Sequence, residues 1–299
     1  MTLVMTTCPS DGVPFTVGRL LESGAAYLCR HGIDADEAAN LAAILLSEAL
    51  GSKRARLPLM MGECVGENEV KRLRMQFKRL ANGEPVQYLL GEWPFHDILL
   101  KTDDRALIPR PETEELVEHI LKDTIWKRAQ QIVDIGTGTG AITLALAHAA
   151  RGTSKRFTAV DLSEAALSLA RENAQRLGLA QQITFVQGDG ASGLEARSCD
   201  ILVSNPPYIA TKVVDQLPRH ILHHEPRMAL DGGEDGLDIL RQIVMDGTQV
   251  LRSQGKIFFE IGEDQGLAMQ RLLERAGYSE VRIRKDFAGN DRYAEGILL

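Results

Sequence analysis

The sequence predicts an α/β fold, a mostly parallel sheet of seven strands with helices on both faces, preceded by a small helical domain. Two observations carry this. From residue 112 onward, short apolar runs alternate with segments of helical apolar spacing, and the connections between them are short. Before residue 83 the apolar pattern is helical throughout. The 299 residues suffice for two ordinary domains. The boundaries read as 1–82 for the helical domain, 83–111 for a hairpin or linker, and 112–299 for the α/β domain.

Val17 to Arg30 carries apolar residues at helical intervals, with Gly32 just beyond it. Asp34 and Asp36 are candidate caps for the next helix, which Gly51 stops. Asn68 to Leu80 places Val70, Leu73, Phe77 and Leu80 on one stripe. Lys53, Arg54 and Arg56, then Lys71, Arg72, Arg74, Lys78 and Arg79, form a basic cluster that reads as solvated helix surface before it reads as a contact for an RNA-associated partner. Val86 to Leu90 and Phe95 to Leu100 are expected to be short strands around Gly91-Glu92. Two prolines stiffen Leu107 to Glu115, whose acidic residues suit the first turn of a helix. Strands are then expected at Gln131 to Ile135, Phe157 to Asp161, Ile183 to Gln187, Ile201 to Ser204 and Lys256 to Glu260. Helices are expected at Ala141 to His148, Glu164 to Leu177, Gly236 to Leu251 and Gln265 to Ala276. Val281 to Lys285 and Tyr293 to Leu298 close the sheet as an antiparallel edge.

The formal net charge of -7 gives no support for broad nucleic-acid binding. Cys8, Cys29, Cys64 and Cys199 lack the spacing of a zinc site or redox pair, so a reduced, cytosolic compartment is expected. Met1 to Pro14 has no basic segment leading into an apolar one, which argues against a secretion signal. No apolar run approaches the roughly 20 residues that span a membrane.

Val133 to Gly140 ends a strand and opens a helix, with glycines at 136, 138 and 140. Glycine lets the backbone turn sharply and approach a ligand without a Cβ clash. Nicotinamide and flavin sites use such a turn too, so the ligand class stays open on this feature alone. Asp161 ends the next strand, where a carboxylate accepts both ribose hydroxyl hydrogens; Ser163 is available to cap the helix that follows. Asp189, after the third strand, is either an acceptor for an adenine amino group or a solvated turn residue.

Asn205-Pro206-Pro207-Tyr208 follows the fourth strand and takes the space a second nucleotide would need. The prolines restrict the backbone and keep their carbonyls as acceptors, and Asn205 adds a side-chain acceptor and donor. A planar NH₂ group can give one hydrogen to the Asn205 side-chain oxygen and the other to the Pro206 carbonyl, with Tyr208 over its flat face. An amide nitrogen is a poor nucleophile because its lone pair is delocalised. Two accepted hydrogen bonds orient it and stabilise the positive charge that develops as it attacks a methyl donor. This chemistry needs neither a metal nor a covalent nucleophile. By itself the motif leaves glutamine and an exocyclic base amine as alternatives.

With these motifs the sequence resembles the release factor glutamine methyltransferase family. The likeness runs through the helical front, Gly83-Glu84-Pro85, Leu107 to Glu112, Asp134 to Gly140, Asp161, Asn205 to Tyr208, Glu225 to Leu237, Glu260-Ile261-Gly262, Gln265-Gly266 and Asp286 to Arg292. It implies the class I S-adenosylmethionine-dependent methyltransferase fold, a Rossmann-like sheet. It also implies methyl transfer to the side-chain N5 of glutamine in a Gly-Gly-Gln loop of peptide chain release factors, in the cytoplasm. Carried over, Gly136, Thr137, Gly138, Thr139, Gly140 and Asp161 hold S-adenosylmethionine, with Asp189, Gly190 and Asn205 completing the set. Asn205, Pro206, Pro207 and Tyr208 hold the glutamine, and the helical front is a platform for the release factor. S-adenosylhomocysteine is the product, no metal or stable nucleic-acid binding is expected, and a monomer is favoured.

Two positions depart from the family pattern. Gly190 stands where a large aromatic residue often follows the aspartate, and Leu107 stands where some relatives have Phe. Arg110 and Glu112 either pair across the substrate entrance or fasten the linker. The stretch 210–234 reads as a lid or peptide-binding wall; its His220, His223 and His224 lack the partners of a zinc site, and Trp93 and Phe95 read as connector packing. The rival substrates are a ribosomal-protein glutamine and, further off, adenine or cytosine amines of nucleic acid. Ser-Pro is common in the ribosomal-protein enzymes where Pro111-Glu112 stands here, which favours the release-factor branch.

Overall fold

The structure, a computed structural model, describes residues 15–299, and it divides into two compact units after Gly91. Cys8 and the Met1 to Pro14 start lie outside the described residues, as do the side chains of His220 and His223.

The first unit is built from α1 (Val17–Arg30), α2 (Ala35–Ala49), α3 (Glu67–Ala81) and α4 (Val86–Leu90), with a 3-10 turn at Arg54–Leu59. Asp34 caps α2, its carboxylate accepting from the amides of Asp36 and Glu37. Leu28, Leu45, Leu46 and Leu73 are buried between the helices. Gly24 lets α1 approach α3 closely, since a Cβ there would overlap the Phe77 ring. The basic cluster is pinned locally: Arg72 meets Glu48 at 3.0 Å and Arg79 pairs with Glu84.

Val86 to Leu90 is helix, where a strand was expected. Five residues with only Gln87 polar among them are too few to carry a period that separates strand from helix. The ends decide it: Pro85 holds φ at -60° at the N-cap and Gly91 takes the left-handed φ of 73° at the C-cap. The hairpin therefore shifts. It runs β1 (Glu92–Phe95) to β2 (Ile98–Lys101) and turns at His96-Asp97, not at Gly91-Glu92.

The second unit continues with α5 (Pro111–Lys122), α6 (Thr124–Arg128), β3 (Gln131–Ile135), α7 (Ala141–Ala149), β4 (Arg156–Asp161), α8 (Glu164–Arg176), β5 (Ile183–Gln187) and β6 (Cys199–Ser204). Then come α9 (Thr211–Val214), α10 (Arg219–His224), α11 (Asp238–Val250), β7 (Leu251–Glu260), α12 (Gly266–Arg275), β8 (Tyr278–Lys285) and β9 (Asp291–Leu298). The strand order is β5-β4-β3-β6-β7-β9-β8, parallel from β5 to β7 and antiparallel at the last two. Side chains alternate across the sheet. Ile132, Ile201, Val203 and Phe258 pack against Leu116 and Ile120 of α5 and Leu144 of α7. Val133, Leu202, Ile257 and Phe259 pack against Leu240 and Val244 of α11 and Met269 of α12.

The order reverses between β3 and β6, so their carboxyl ends splay apart into a crevice. The same alternation that buries Phe258 sends Glu260 toward α5. Cys29 and Cys199 are free thiols. Cys64 is disulfide-bonded, which the reading of four separate thiols did not anticipate and which removes cysteine usage as an argument about compartment. Among the described residues no helix is long and apolar enough to cross a membrane.

Candidate active site

A cleft of about 340 Å³ opens at the β3–β6 reversal. Gly136 to Thr139, Asp161, Asp189, Gly190, Asn205, Pro206 and Pro207 all border it. Gly140 does not border it and has a packing role: a Cβ there would meet Leu144 Cδ1 at 2.9 Å and Ala170 at 3.2 Å. Tyr208 does not border the cleft either; it packs partly buried against the α11 side of the sheet.

Gly136, Gly138 and Gly140 hold φ values of 71°, 57° and 84°, which other residues adopt at a cost. The turn is fixed by its neighbours. The amides of Gly136 and Thr137 both donate to the Val160 carbonyl, at 2.9 and 3.0 Å. Asn173 of α8 donates to the Thr139 carbonyl at 3.0 Å and also to the Lys101 carbonyl at 3.1 Å, joining turn to hairpin. Buried Asp134 lies behind the turn, accepting from the hydroxyls of Thr137 and Thr143, both at 2.7 Å, on one oxygen. Burial pushes its carboxyl up to about 6. Its Oδ1 is buried without a hydrogen-bond partner among the described residues.

Asp161 accepts from Gly138 N on one oxygen and Ser163 N on the other, both at 2.9 Å. Burial holds this carboxyl above the usual carboxylate range. A carboxylate offers about four lone-pair sites, so two remain for a pair of hydroxyls. Asp189 Oδ1 accepts from Gln242 of α11 at 3.0 Å, which makes it an anchored loop residue as well as a cleft wall. Leu162, Ala166, Ile239 and Ile243 supply apolar surface around it.

At the other end, Asn205 Nδ2 donates to Thr113 Oγ1 at 3.0 Å. Among the described residues neither Asn205 Oδ1 nor the Pro206 carbonyl accepts a hydrogen bond. Both acceptors required of an amide clamp are thus without protein donors among the described residues. Tyr208 is held on both sides: its hydroxyl donates to Glu260 at 3.3 Å and its carbonyl accepts from Gln265 Nε2 at 2.9 Å. Burial keeps the phenol protonated well above its ordinary value.

Pro226, Met228, Ala229 and Asp231 form one wall of the cleft, facing Arg105 to Arg110. Arg110 does not pair with Glu112. Its Nη2 donates to both oxygens of Glu225, at 2.6 and 2.8 Å, while the Glu112 carbonyl accepts from Tyr293. The reason is reach: Glu112 sits inside the first turn of α5, whereas Glu225 caps the end of α10 with a side chain only 2% exposed. The 210–234 stretch is tied down at its base by Ile209 and Gly232, each bonded to the other's neighbourhood. Trp93 and Phe95 do not border the cleft, and Phe95 is buried in the core.

Residues 111–234 match the model described as methyltransferase small domain, and residues 19–91 match the PrmC N-terminal domain. The release factor glutamine methyltransferase of Caulobacter vibrioides is 38% identical over 256 residues, covering 86% of this chain and 88% of that one. The enzyme of the same name from Rhodopirellula baltica is 34% identical, covering 95% and 96%. This chain belongs to the release factor glutamine methyltransferase family. Among solved structures, the hMettl16 catalytic domain in complex with a MAT2A 3′UTR hairpin aligns with a TM-score of 0.54 at 17% identity, covering 79% of this chain and 84% of that one. That likeness concerns the fold alone.

Membership makes this a class I methyltransferase whose methyl donor is S-adenosylmethionine. The residues present fit that group. Two spare acceptor sites on Asp161 suit the ribose hydroxyls, the left-handed glycines bring bare backbone to the cleft, and Leu162 and Ile243 suit a flat base. Among the described residues no cluster of His, Cys, Asp and Glu could hold a metal ion. Thr113, Glu260 and Gln265 escaped sequence reasoning as site residues, and Glu225 was left open between the substrate entrance and a structural role. Glu225, Glu260 and Gln265 stand within segments that carry the resemblance; Thr113 directly follows one.

Proposed function

We propose that this enzyme transfers a methyl group from S-adenosylmethionine to the side-chain N5 of the glutamine in the Gly-Gly-Gln loop of peptide chain release factors. The observation that carries this is the pair of donor-free acceptors, Asn205 Oδ1 and the Pro206 carbonyl, on the same cleft as the glycine turn. Two acceptors match the two hydrogens of a primary amide. When bound, S-adenosylmethionine supplies an electrophilic methyl whose C–S bond breaks with the electron pair staying on sulfur, giving S-adenosylhomocysteine.

The chain's own residues do the rest. Asn205 and Pro206 hold the amide plane so that the nitrogen lone pair faces the methyl, and their dipoles stabilise charge as the C–N bond forms. Tyr208, fixed by Glu260 and Gln265, stands outside the cleft and anchors the backbone that follows Pro207. Once methylated, the nitrogen is acidic and releases one proton to solvent; no strong base is required beforehand. Asp161 and residues 136–139 hold the donor, with Gly140 packed behind them. The helical unit 15–91 recognises the release factor, and flexible Gly-Gly flanks let the glutamine enter the cleft. The enzyme works in the cytoplasm, as a monomer, without metal and without stable nucleic-acid binding.

Asn205→Ala tests the clamp. In single turnover with a purified release factor, the rate should fall on the order of 100-fold, the scale for losing one preorganised polar contact to a transition state. Cofactor affinity should change far less. A near-normal rate would defeat this reading of the site.

A further inference from the structure

Four side chains from three distant parts of the chain form a hydrogen-bond series behind the amide site. Glu260 Oε2, at the end of β7, accepts from Thr113 Oγ1 of α5 at 2.7 Å. Thr113 Oγ1 accepts in turn from Asn205 Nδ2 at 3.0 Å. The other Glu260 oxygen accepts from the Tyr208 hydroxyl at 3.3 Å. Glu260 is 1% exposed and Thr113 4% exposed, so solvent has little access to either.

The direction of this series is forced. An ionised carboxylate only accepts, and a hydroxyl has one hydrogen. With Glu260 ionised, the Thr113 hydrogen is committed to it, and Thr113 presents only lone pairs to Asn205. The Asn205 amide must then turn its NH₂ toward Thr113 and its Oδ1 away, leaving that oxygen without a protein donor. An isolated asparagine has no such preference, because a half-turn about its last bond exchanges donor for acceptor.

We infer that Thr113 and Glu260 are positioning residues for methyl transfer, a polarity relay that sets which end of the Asn205 amide meets the substrate. This rests on the clamp reading given above. Its consequence is a specific failure when the relay is reversed. A protonated Glu260 can donate to Thr113, whose own hydrogen then turns toward Asn205. The flipped amide would present NH₂ to a substrate NH₂, donor against donor, and a buried donor without an acceptor is costly.

Burial, the largest influence, pushes the Glu260 carboxyl up to about 7, so reversal falls in an accessible pH range. The groups facing it are Glu112 and Thr113 from α5, Tyr208 from the loop after β6, and Arg292 and Tyr293 from β9. Arg292, itself paired with Asp286, draws the carboxyl down, and Glu112 pushes it up.

The test is single-turnover kinetics at saturating S-adenosylmethionine, with a purified release factor as acceptor, from roughly pH 5.5 to 9. For the wild type the maximal rate should fall on the acid side with a midpoint near the Glu260 value. Thr113→Val should lower the maximal rate at alkaline pH on the order of 100-fold, a misplacement effect, and abolish the acid limb. Its acceptor KM and cofactor Kd should stay within a few fold. Thr113→Ser, which keeps the hydroxyl, should restore most of the rate and the acid limb together. A Thr113→Val rate within threefold of wild type would overturn the relay, and so would a Thr113→Ser variant as slow as Thr113→Val, since that marks a packing role. If Asn205→Ala is slow while Thr113→Val is normal, the relay falls and the clamp stands. If Asn205→Ala is normal, both fall.

Discussion

The Asp246 carboxylate occupies the position that a side chain on residue 190 would need. Gly190 has φ of 62°, its Cβ direction runs into Asp246 Oδ2, and Gln242 Nε2 lies 2.8 Å from the same point. The same Asp246 oxygen accepts from Ala191 N at 2.7 Å, which holds the loop against α11. The space a side chain would take here is therefore filled by α11, and Leu162 and Ile243 provide apolar surface in the cleft.

Restoring an aromatic residue should harm this enzyme. Gly190→Phe must adopt a left-handed φ, at about 1–2 kcal/mol, and must displace Asp246. We expect weaker cofactor binding by calorimetry and a lower midpoint in chemical denaturation. Tighter binding would show that the loop has room the geometry denies.

Asp161→Asn keeps the shape of the side chain and replaces an acceptor oxygen with a donor. Its carboxylate now serves Gly138 and Ser163 at once. The variant should lose cofactor affinity by roughly 10- to 100-fold, about 1.4–2.8 kcal/mol, while the rate at saturating cofactor changes little. A Kd equal to wild type would remove Asp161 from the cofactor site.

Arg110→Ala leaves Glu225 buried without its two donated hydrogen bonds. The expected loss is about 1–3 kcal/mol in urea denaturation, the cost of a buried group left unsatisfied. Arg110→Lys should recover only part, because an ammonium does not reproduce the guanidinium's planar, delocalised geometry. If both variants match wild type in stability and in acceptor KM, the pair does not brace the cleft wall.

Asp134 makes a pH-dependent contribution of known sign. Its folded value of about 6 lies above the ordinary 3.8, so the folded state binds the proton more tightly than the unfolded one. Its contribution is fully favourable below the ordinary value and is lost as pH rises through 6. The stability of Asp134→Asn relative to wild type should accordingly improve between pH 4 and pH 6. A difference that stays flat across this window would mean the carboxyl is not raised by burial.

Much of the site was legible because strand ends announce themselves. The largely apolar strands at 131–135 and 201–204 stop at glycine and at Asn205, and their parallel pairing places both ends on one edge of the sheet. Where a run is as short as Val86 to Leu90, there is no period to read, and the flanking Pro85 and Gly91 decide. Thr113 and Glu260 were invisible as partners for a different reason. They are 147 residues apart, and their meeting depends on β7 lying next to β6 and on which face Glu260 takes. Arg110 and Glu225, separated by 115 residues, pose the same problem. A nearby Glu112 made a plausible partner by sequence distance, but Arg110 meets Glu225 instead.

The central claim is that the clamp at Asn205 and Pro206 acts on a protein glutamine. The most direct measurement incubates the enzyme with labelled S-adenosylmethionine and equal amounts of purified release factor, ribosomal protein and nucleic acid, then maps the label by mass spectrometry. The expected result is one methyl on the glutamine side-chain nitrogen of the release factor's Gly-Gly-Gln loop, absent with Asn205→Ala. Label on the ribosomal protein or on base amines, with the Gly-Gly-Gln glutamine unmodified, would contradict it.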